Sequence, residues 1–86
     1  MSFEIEQVDA KRESFGDYRY NIYEDGRLVA RYWHDYRGDE HGIEFLDGRS
    51  EQSLAGPMVE FITGGGPQPL VLSERAIAYL NDKLGR

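Results

Sequence analysis

The chain has 86 residues, which is the size of one domain, and we expect a single unit over residues 1–86 with a modest core. Its 16 acidic and 10 basic residues give a formal net charge of −6, which disfavours nonspecific nucleic-acid binding and attachment to anionic membranes. No apolar run approaches the roughly 20 residues of a membrane-spanning helix, and the absence of cysteine excludes disulfides and thiolate metal sites.

The first half of the chain predicts β-strands. FEIEQV (3–8) alternates apolar and acidic residues, and YRYNIY (18–23) and RLVARYW (27–33) are rich in residues that favour strands. The short polar stretch EDG between the last two predicts a hairpin.

The loop of this hairpin decides which side chains share a face. A three-residue loop that ends with Gly26 in the left-handed position places the apolar residues of both strands on one face. The expected pairs are Ile22 with Leu28, Tyr20 with Ala30, and Tyr18 with Tyr32. The same register places Arg19 opposite Arg31 on the other face, which is an unfavourable like-charge pair.

The stretch RYWHDYRGDEHGIEF (31–45) holds both histidines and the only tryptophan. Gly38 and Asp39 predict a two-residue turn, which pairs His34 with Ile43 and Tyr36 with His41. The apolar face is then expected to hold Tyr32, His34, Tyr36, His41, Ile43 and Phe45. Trp33 and Glu44 are expected on the opposite face, with Glu44 close to the two arginines.

The second half predicts two short strands and a helix. The expected elements are a loop over 46–57, a strand over 58–62 (MVEFI), a glycine–proline connection over 63–69 and a strand over 70–72. Ser73 is a suitable N-cap for a helix that runs to about Leu84 and ends at Gly85. The predicted fold class is therefore α+β, with an antiparallel sheet of about four to five strands, mostly a meander, and one C-terminal helix packed on one face.

The two histidines invite a metal-site interpretation. His34, Tyr36 and His41 carry side chains that can bind a divalent ion. Their spacing matches no established metal motif, and the predicted hairpin places the histidines diagonally. We therefore expect the end of a hairpin stabilised by cross-strand pairs, with no metal and no cofactor.

The opposite face offers a second candidate. Arg19, Arg31 and Trp33 form a group suited to an anion or a flat ligand, because guanidinium groups bind carboxylates and phosphates and the indole stacks. The alternative is a ladder in which Glu44 neutralises both arginines. Val29 and Leu46 would join Trp33 in an apolar patch, which is typical of a surface that binds a protein.

These patterns favour a non-catalytic, cytoplasmic module that binds a partner protein or a second copy of itself, through the open sheet face or an edge strand. The alternative is a small metal-dependent or small-molecule-binding enzyme centred on His34 and His41. No catalytic residue is predicted. The candidate binding residues are Arg19, Arg31, Trp33, His34, Tyr36 and His41.

Overall fold

The computed structural model describes residues 2–8, 18–35, 40–51, 53–54, 56–65 and 68–85. A five-stranded antiparallel sheet is ordered β1-β2-β3-β4-β5, and a separate two-stranded sheet pairs β6 with β7. The elements are β1 (Phe3–Gln7), β2 (Tyr18–Glu24), β3 (Arg27–His34), β4 (His41–Phe45), β5 (Ser50–Glu51), β6 (Ile62–Gly65), β7 (Gln68–Leu72) and α1 (Glu74–Lys83). This is the predicted α+β fold, a meander followed by a C-terminal helix.

One face of the large sheet, the inner face, packs against the rest of the chain. Its residues alternate with exposed ones because successive side chains of a strand point to opposite sides. The β6–β7 hairpin and α1 supply the other half of the core through Ile62, Leu72, Ala76 and Leu80, with Phe61 beside them. The buried apolar residues of the inner face are Tyr20, Ile22, Ala30, Tyr32, Ile43 and Phe45. The predicted core-facing positions on β2, β3 and β4 are confirmed where they are described, with one exception in β3. Leu28, predicted on the inner face, is opposite Tyr23, and Val29, predicted on the other face, packs against the core.

The β2–β3 hairpin differs from the prediction in its loop and pairing. Asp25 and Gly26 both have positive φ, +51° and +84°, and form a two-residue turn. A bulge then inserts Val29 into β3, so that Ile22 pairs with Ala30. The predicted partners were wrong by two positions. The observed pairs are Tyr18 with His34, Arg19 with Trp33, Tyr20 with Tyr32, and Tyr23 with Leu28.

The β3–β4 pairing also differs by two positions. His34 faces His41, where Ile43 was predicted, and Ile43 faces Tyr32. The Asp35 amide donates to the Glu40 carbonyl at 3.0 Å, which continues the observed register by one more pair. The Gly38-Asp39 turn and Tyr36 lie outside the described residues.

The region before the helix contains three departures from the prediction. Ser50 and Glu51 pair with β4 inside the predicted loop. Met58–Glu60 is a turn of 3₁₀-helix rather than the start of a strand, and it leaves Val59 exposed while Phe61 is buried. The predicted glycine–proline connection belongs to the β6–β7 hairpin, where Ile62 pairs with Leu72.

The predicted helix is confirmed at both ends. The Ser73 hydroxyl accepts a hydrogen bond from the Ala76 amide at 3.0 Å and donates one to the Glu60 carbonyl at 2.6 Å. This cap satisfies one of the free amides of the first turn. Gly85 follows the last turn with φ +73°, as glycine does after many helices.

Candidate binding surface

The two histidines lie on the inner face and not at an accessible site. His34 and His41 are directly opposite each other on β3 and β4, and only 7% and 1% of their surfaces are exposed. Burial of an imidazole requires hydrogen bonds for both ring nitrogens, because an unpaired polar group in the core is costly.

Both nitrogens of His34 have partners. Nδ1 lies 2.7 Å from the Asp35 carbonyl oxygen, and Nε2 lies 2.8 Å from the hydroxyl oxygen of Tyr20. A carbonyl can only accept, so the neutral ring carries its proton on Nδ1 and accepts from Tyr20 at Nε2. The ring also stacks on Tyr18, with centroids 4.9 Å apart.

His41 has the opposite arrangement. Nε2 lies 2.8 Å from the Gly56 carbonyl oxygen and therefore donates, while Nδ1 accepts from the Tyr32 hydroxyl at 2.7 Å. Tyr32 stacks on Phe61 with ring centroids 4.7 Å apart. Burial is the main cause that raises the pKa of the Tyr32 phenol above its ordinary range, with a smaller contribution from Tyr20.

These contacts give the histidines a structural role. A metal ion at either ring would have to displace a tyrosine hydroxyl from the nitrogen that accepts. Among the described residues, no group of three or more histidine, aspartate and glutamate side chains is placed to hold a metal. Tyr36, the third residue of the metal hypothesis, lies outside the described part of the chain.

The remaining candidate residues lie together on the opposite side of the sheet, which we call the outer face. Two rows of side chains cross it. Arg19 is opposite Trp33, and Arg31 lies between Asn21 and Glu44. The first row continues to Val8, whose amide donates to the Arg19 carbonyl at 2.9 Å. The predicted opposition of Arg19 and Arg31 was wrong, and the two arginines are diagonal neighbours.

Trp33 is held against the strand beside it. Its cross-strand partner is Gly42, and a Cβ atom built at Gly42 would lie 2.6 Å from indole Nε1 and 2.7 Å from Cε2. The indole therefore occupies the space above a residue that has no side chain, an arrangement that shields the backbone of a strand glycine. Half-buried in this way, Trp33 offers a flat apolar surface to the solvent.

In the part of the chain that is described, the two outer-face arginines and Arg27 form no ion pair, whereas the other three cations do. Among the described residues, no hydrogen-bond or ion-pair partner is found for the guanidinium of Arg19, Arg27 or Arg31. Glu44 lies opposite Arg31 in the register but makes no ion pair with it, so the predicted neutralising ladder is not formed. The paired cations are Arg49 with Asp47, Arg75 with Glu60, and Lys83 with Glu51.

A hollow of 510 Å³ marks the centre of the outer face. All its lining residues belong to β2, β3 and β4 or directly follow β1, so the described residues give the hollow a floor and no opposite wall. They are Val8, Arg19, Tyr20, Asn21, Arg31, Tyr32, Trp33, Ile43 and Glu44. The structure thus brings three of the six predicted binding residues, Arg19, Arg31 and Trp33, to one place.

The predicted apolar patch around Trp33 is only partly present. The bulge turns Val29 toward the core, against which it packs. Leu46 is 52% exposed at the end of β4. The sequence prediction placed Asn21 on this face but missed Val8 and Gly42. Gly42 could have been recognised, because a strand glycine is often covered by an aromatic side chain of the neighbouring strand.

Comparison with known proteins adds no functional information. No protein-family model matches the chain, and no match is found among curated proteins or among solved structures. In the part of the chain that is described, no helix has the length and apolar character needed to cross a membrane.

Proposed function

We propose that the protein is a non-catalytic module that binds a second, different protein on the outer face of its five-stranded sheet. One observation supports this most strongly: Arg19 and Arg31 lack partners among the described residues and stand beside a fixed indole. Tryptophan and arginine are the residue types most enriched where binding energy concentrates in protein interfaces.

The sheet face fits this role better than a sheet edge does. Strand addition needs a strand long enough to offer several free amides and carbonyls. β5, at one edge, has only two residues, and β1, at the other edge, contacts β7. The outer face is free of the helix and of the second sheet.

A different protein fits better than a second copy. A symmetric dimer through this face would bring Arg19 and Arg31 of one copy close to the same residues of the other. Each copy also carries a net charge of −6, which opposes association. An asymmetric contact between copies is an outcome that the experiment below detects.

The open shape of the hollow favours a protein over a small molecule. Small-molecule sites bury most of their ligand inside a cleft, whereas this surface can cover one side of a ligand only. A chain without cysteine needs no oxidising compartment, and we place this binding in the cytoplasm.

Site-specific cross-linking in the native host tests the proposal. A photoreactive phenylalanine derivative is placed at Asn21, between the two arginines, and in a matched control at Asp82, which is exposed on α1. We expect a single heavier product from position 21, identified by mass spectrometry as a different protein. The product should be absent from position 82 and lost when Arg19 and Arg31 are both changed to glutamine.

Two results would contradict the proposal. A product with twice the mass of the chain, supported by light scattering that rises with concentration, would show self-association instead. Equal products from positions 21 and 82 would show that the outer face has no special role.

A further inference from the structure

Building on the proposed function, we infer that the segment docked on the outer face is acidic, and that its carboxylates pair with Arg19 and Arg31 above the indole of Trp33.

The first support is the charge balance. The chain has 16 acidic residues for 10 basic ones, so carboxylates are in excess as partners for every arginine. The ion pairs of the described residues nevertheless form at Arg49, Arg75 and Lys83. Within the described part of the chain, Arg19 and Arg31 have no carboxylate partner, so these two guanidinium groups on one open face are complementary to the carboxylates of a ligand.

Glu44 is the described carboxylate that could compete with a ligand for Arg31, and it is a weak competitor. It lies opposite Arg31 on an exposed surface, where a single ion pair contributes little to stability. A ligand that engages two guanidinium groups at once, with paired hydrogen bonds to each, exceeds that contribution. Because Glu44 makes no ion pair with Arg31, a ligand does not have to break one to reach this guanidinium group.

The second support is geometry. Arg19 is opposite Trp33, and Arg31 is two residues before Trp33 on the same strand. Diagonal positions of this kind have Cα atoms about 7–8 Å apart, close to the span of two residues in an extended chain. One short extended segment can therefore reach both arginines while its stem atoms and backbone rest on the indole.

The third support is preorganisation. Gly42 leaves the space in which the indole rests, and the carbonyl oxygen of Glu51 would lie 2.5 Å from a Cβ at Gly42. A ring fixed in this way loses little further freedom when a ligand covers it, which lowers the entropic cost of binding.

The net charge of −6 opposes the approach of an acidic segment but does not prevent the contact. At physiological ionic strength, charges more than about 8 Å apart are largely screened. The distant carboxylates therefore slow the encounter, whereas the guanidinium groups in contact with the ligand determine its affinity.

Fluorescence of Trp33 provides the test, because it is the only tryptophan in the chain. The probe is a capped hexapeptide that alternates glutamate and threonine, and its controls replace every glutamate by glutamine or by lysine. The variants are Arg19→Gln and Arg31→Gln, with Arg75→Gln as the matched loss of one cation elsewhere. Circular dichroism establishes that each variant is folded.

We expect a saturable fluorescence change with the glutamate peptide and at least tenfold weaker binding of the glutamine peptide. Arg19→Gln and Arg31→Gln should each weaken binding by about fivefold or more, and Arg75→Gln should leave it unchanged. Equal binding of the glutamate and glutamine peptides, or tighter binding of the lysine peptide, would overturn the acidic inference while leaving the outer face as the docking surface. No response to any peptide at millimolar concentration would also overturn the inference, and the cross-linking from position 21 would then decide the proposed function separately.

Discussion

The indole of Trp33 occupies the space that a side chain at Gly42 would need. Nε1 and Cε2 would lie 2.6 and 2.7 Å from a Cβ at that position, well inside van der Waals contact. The two residues are cross-strand partners on β3 and β4, so the glycine fixes the position of the ring that forms the centre of the outer face. The same pair links the stability of the sheet to the shape of its proposed binding surface.

Gly42→Ala is therefore expected to destabilise the protein even though alanine is better suited to a strand than glycine. The added methyl group must displace the indole and also meets the Glu51 carbonyl oxygen. Overpacking of this kind costs about 1–3 kcal/mol. Urea unfolding measures the free energy, and Trp33 fluorescence should change in the folded variant. An alanine variant as stable as the natural protein, with unchanged fluorescence, would contradict this packing.

Tyr32→Phe tests the hydrogen bond between the phenol and the buried imidazole of His41. Removing the hydroxyl leaves Nδ1 without its partner in a residue that is 1% exposed. We expect a loss of about 1–3 kcal/mol in the free energy of unfolding. Tyr23→Phe is the matched control, because its hydroxyl makes 3.3 Å contacts with Asn21 and Glu6 at the surface. Similar losses in the two variants would argue against the buried pair.

The contact between β5 and α1 is expected to depend on pH. The hydroxyl of Tyr79 donates to the Glu51 carboxylate at 2.6 Å, and this bond is the main cause that lowers the pKa of Glu51, ahead of Lys83. A carboxyl whose pKa is lowered by folding stabilises the folded state fully above its unfolded value of about 4.3. That stabilisation is lost as the pH falls through the folded pKa.

Tyr79→Phe should therefore raise the pKa of Glu51 toward its ordinary value, and Lys83→Gln should raise it less. Carboxyl-carbon NMR titration measures both shifts directly. Tyr79 has the opposite dependence on pH, because burial, and then Glu51, raise the pKa of its phenol. The stabilisation of the folded state by this phenol is therefore complete below its unfolded pKa of about 10 and declines above it. An unchanged Glu51 titration in Tyr79→Phe would show that the hydrogen bond does not determine this pKa.

Added zinc should leave both imidazole rings unaffected. Each ring has one nitrogen that donates to a carbonyl and one that accepts from a tyrosine hydroxyl, so neither offers a free lone pair. The chemical shifts of the His34 and His41 ring protons, followed by NMR during a zinc titration, test this expectation. Stoichiometric shifts of both rings, together with a higher unfolding temperature, would restore the metal hypothesis.

The faces of the strands could be predicted from the sequence, whereas their pairings could not. Side chains alternate with a period of two, so the inner positions Tyr20, Tyr32 and Ile43 follow from the pattern of apolar residues. In the β2–β3 hairpin, the two-residue turn and the extra residue Val29 each shift the register by one position, so the faces past the bulge are unchanged. The β3–β4 pairing is shifted by two positions, which also leaves the faces unchanged. A bulge has no clear signal in the residues themselves.

The hydrogen bonds of the two histidines could be predicted only from the correct strand register. The sequence placed His34 and His41 on the same face as two tyrosines, but only the observed pairing brings Tyr20 to His34 and Tyr32 to His41. The β6–β7 hairpin was missed for a different reason. Gly64 has φ +91°, and a Cβ there would meet the Pro69 carbonyl oxygen, so this glycine of the predicted connection is required by a tight pair of strands.

The most direct test of the outer face as the binding surface is a residue-resolved NMR titration of the nitrogen-labelled protein with the glutamate–threonine peptide. The account predicts that the largest shifts occur at the indole N–H of Trp33 and at the side-chain Nε–H groups of Arg19 and Arg31, with small shifts along α1. Shifts concentrated on α1 or on the β6–β7 hairpin, with the three outer-face groups unmoved, would contradict it.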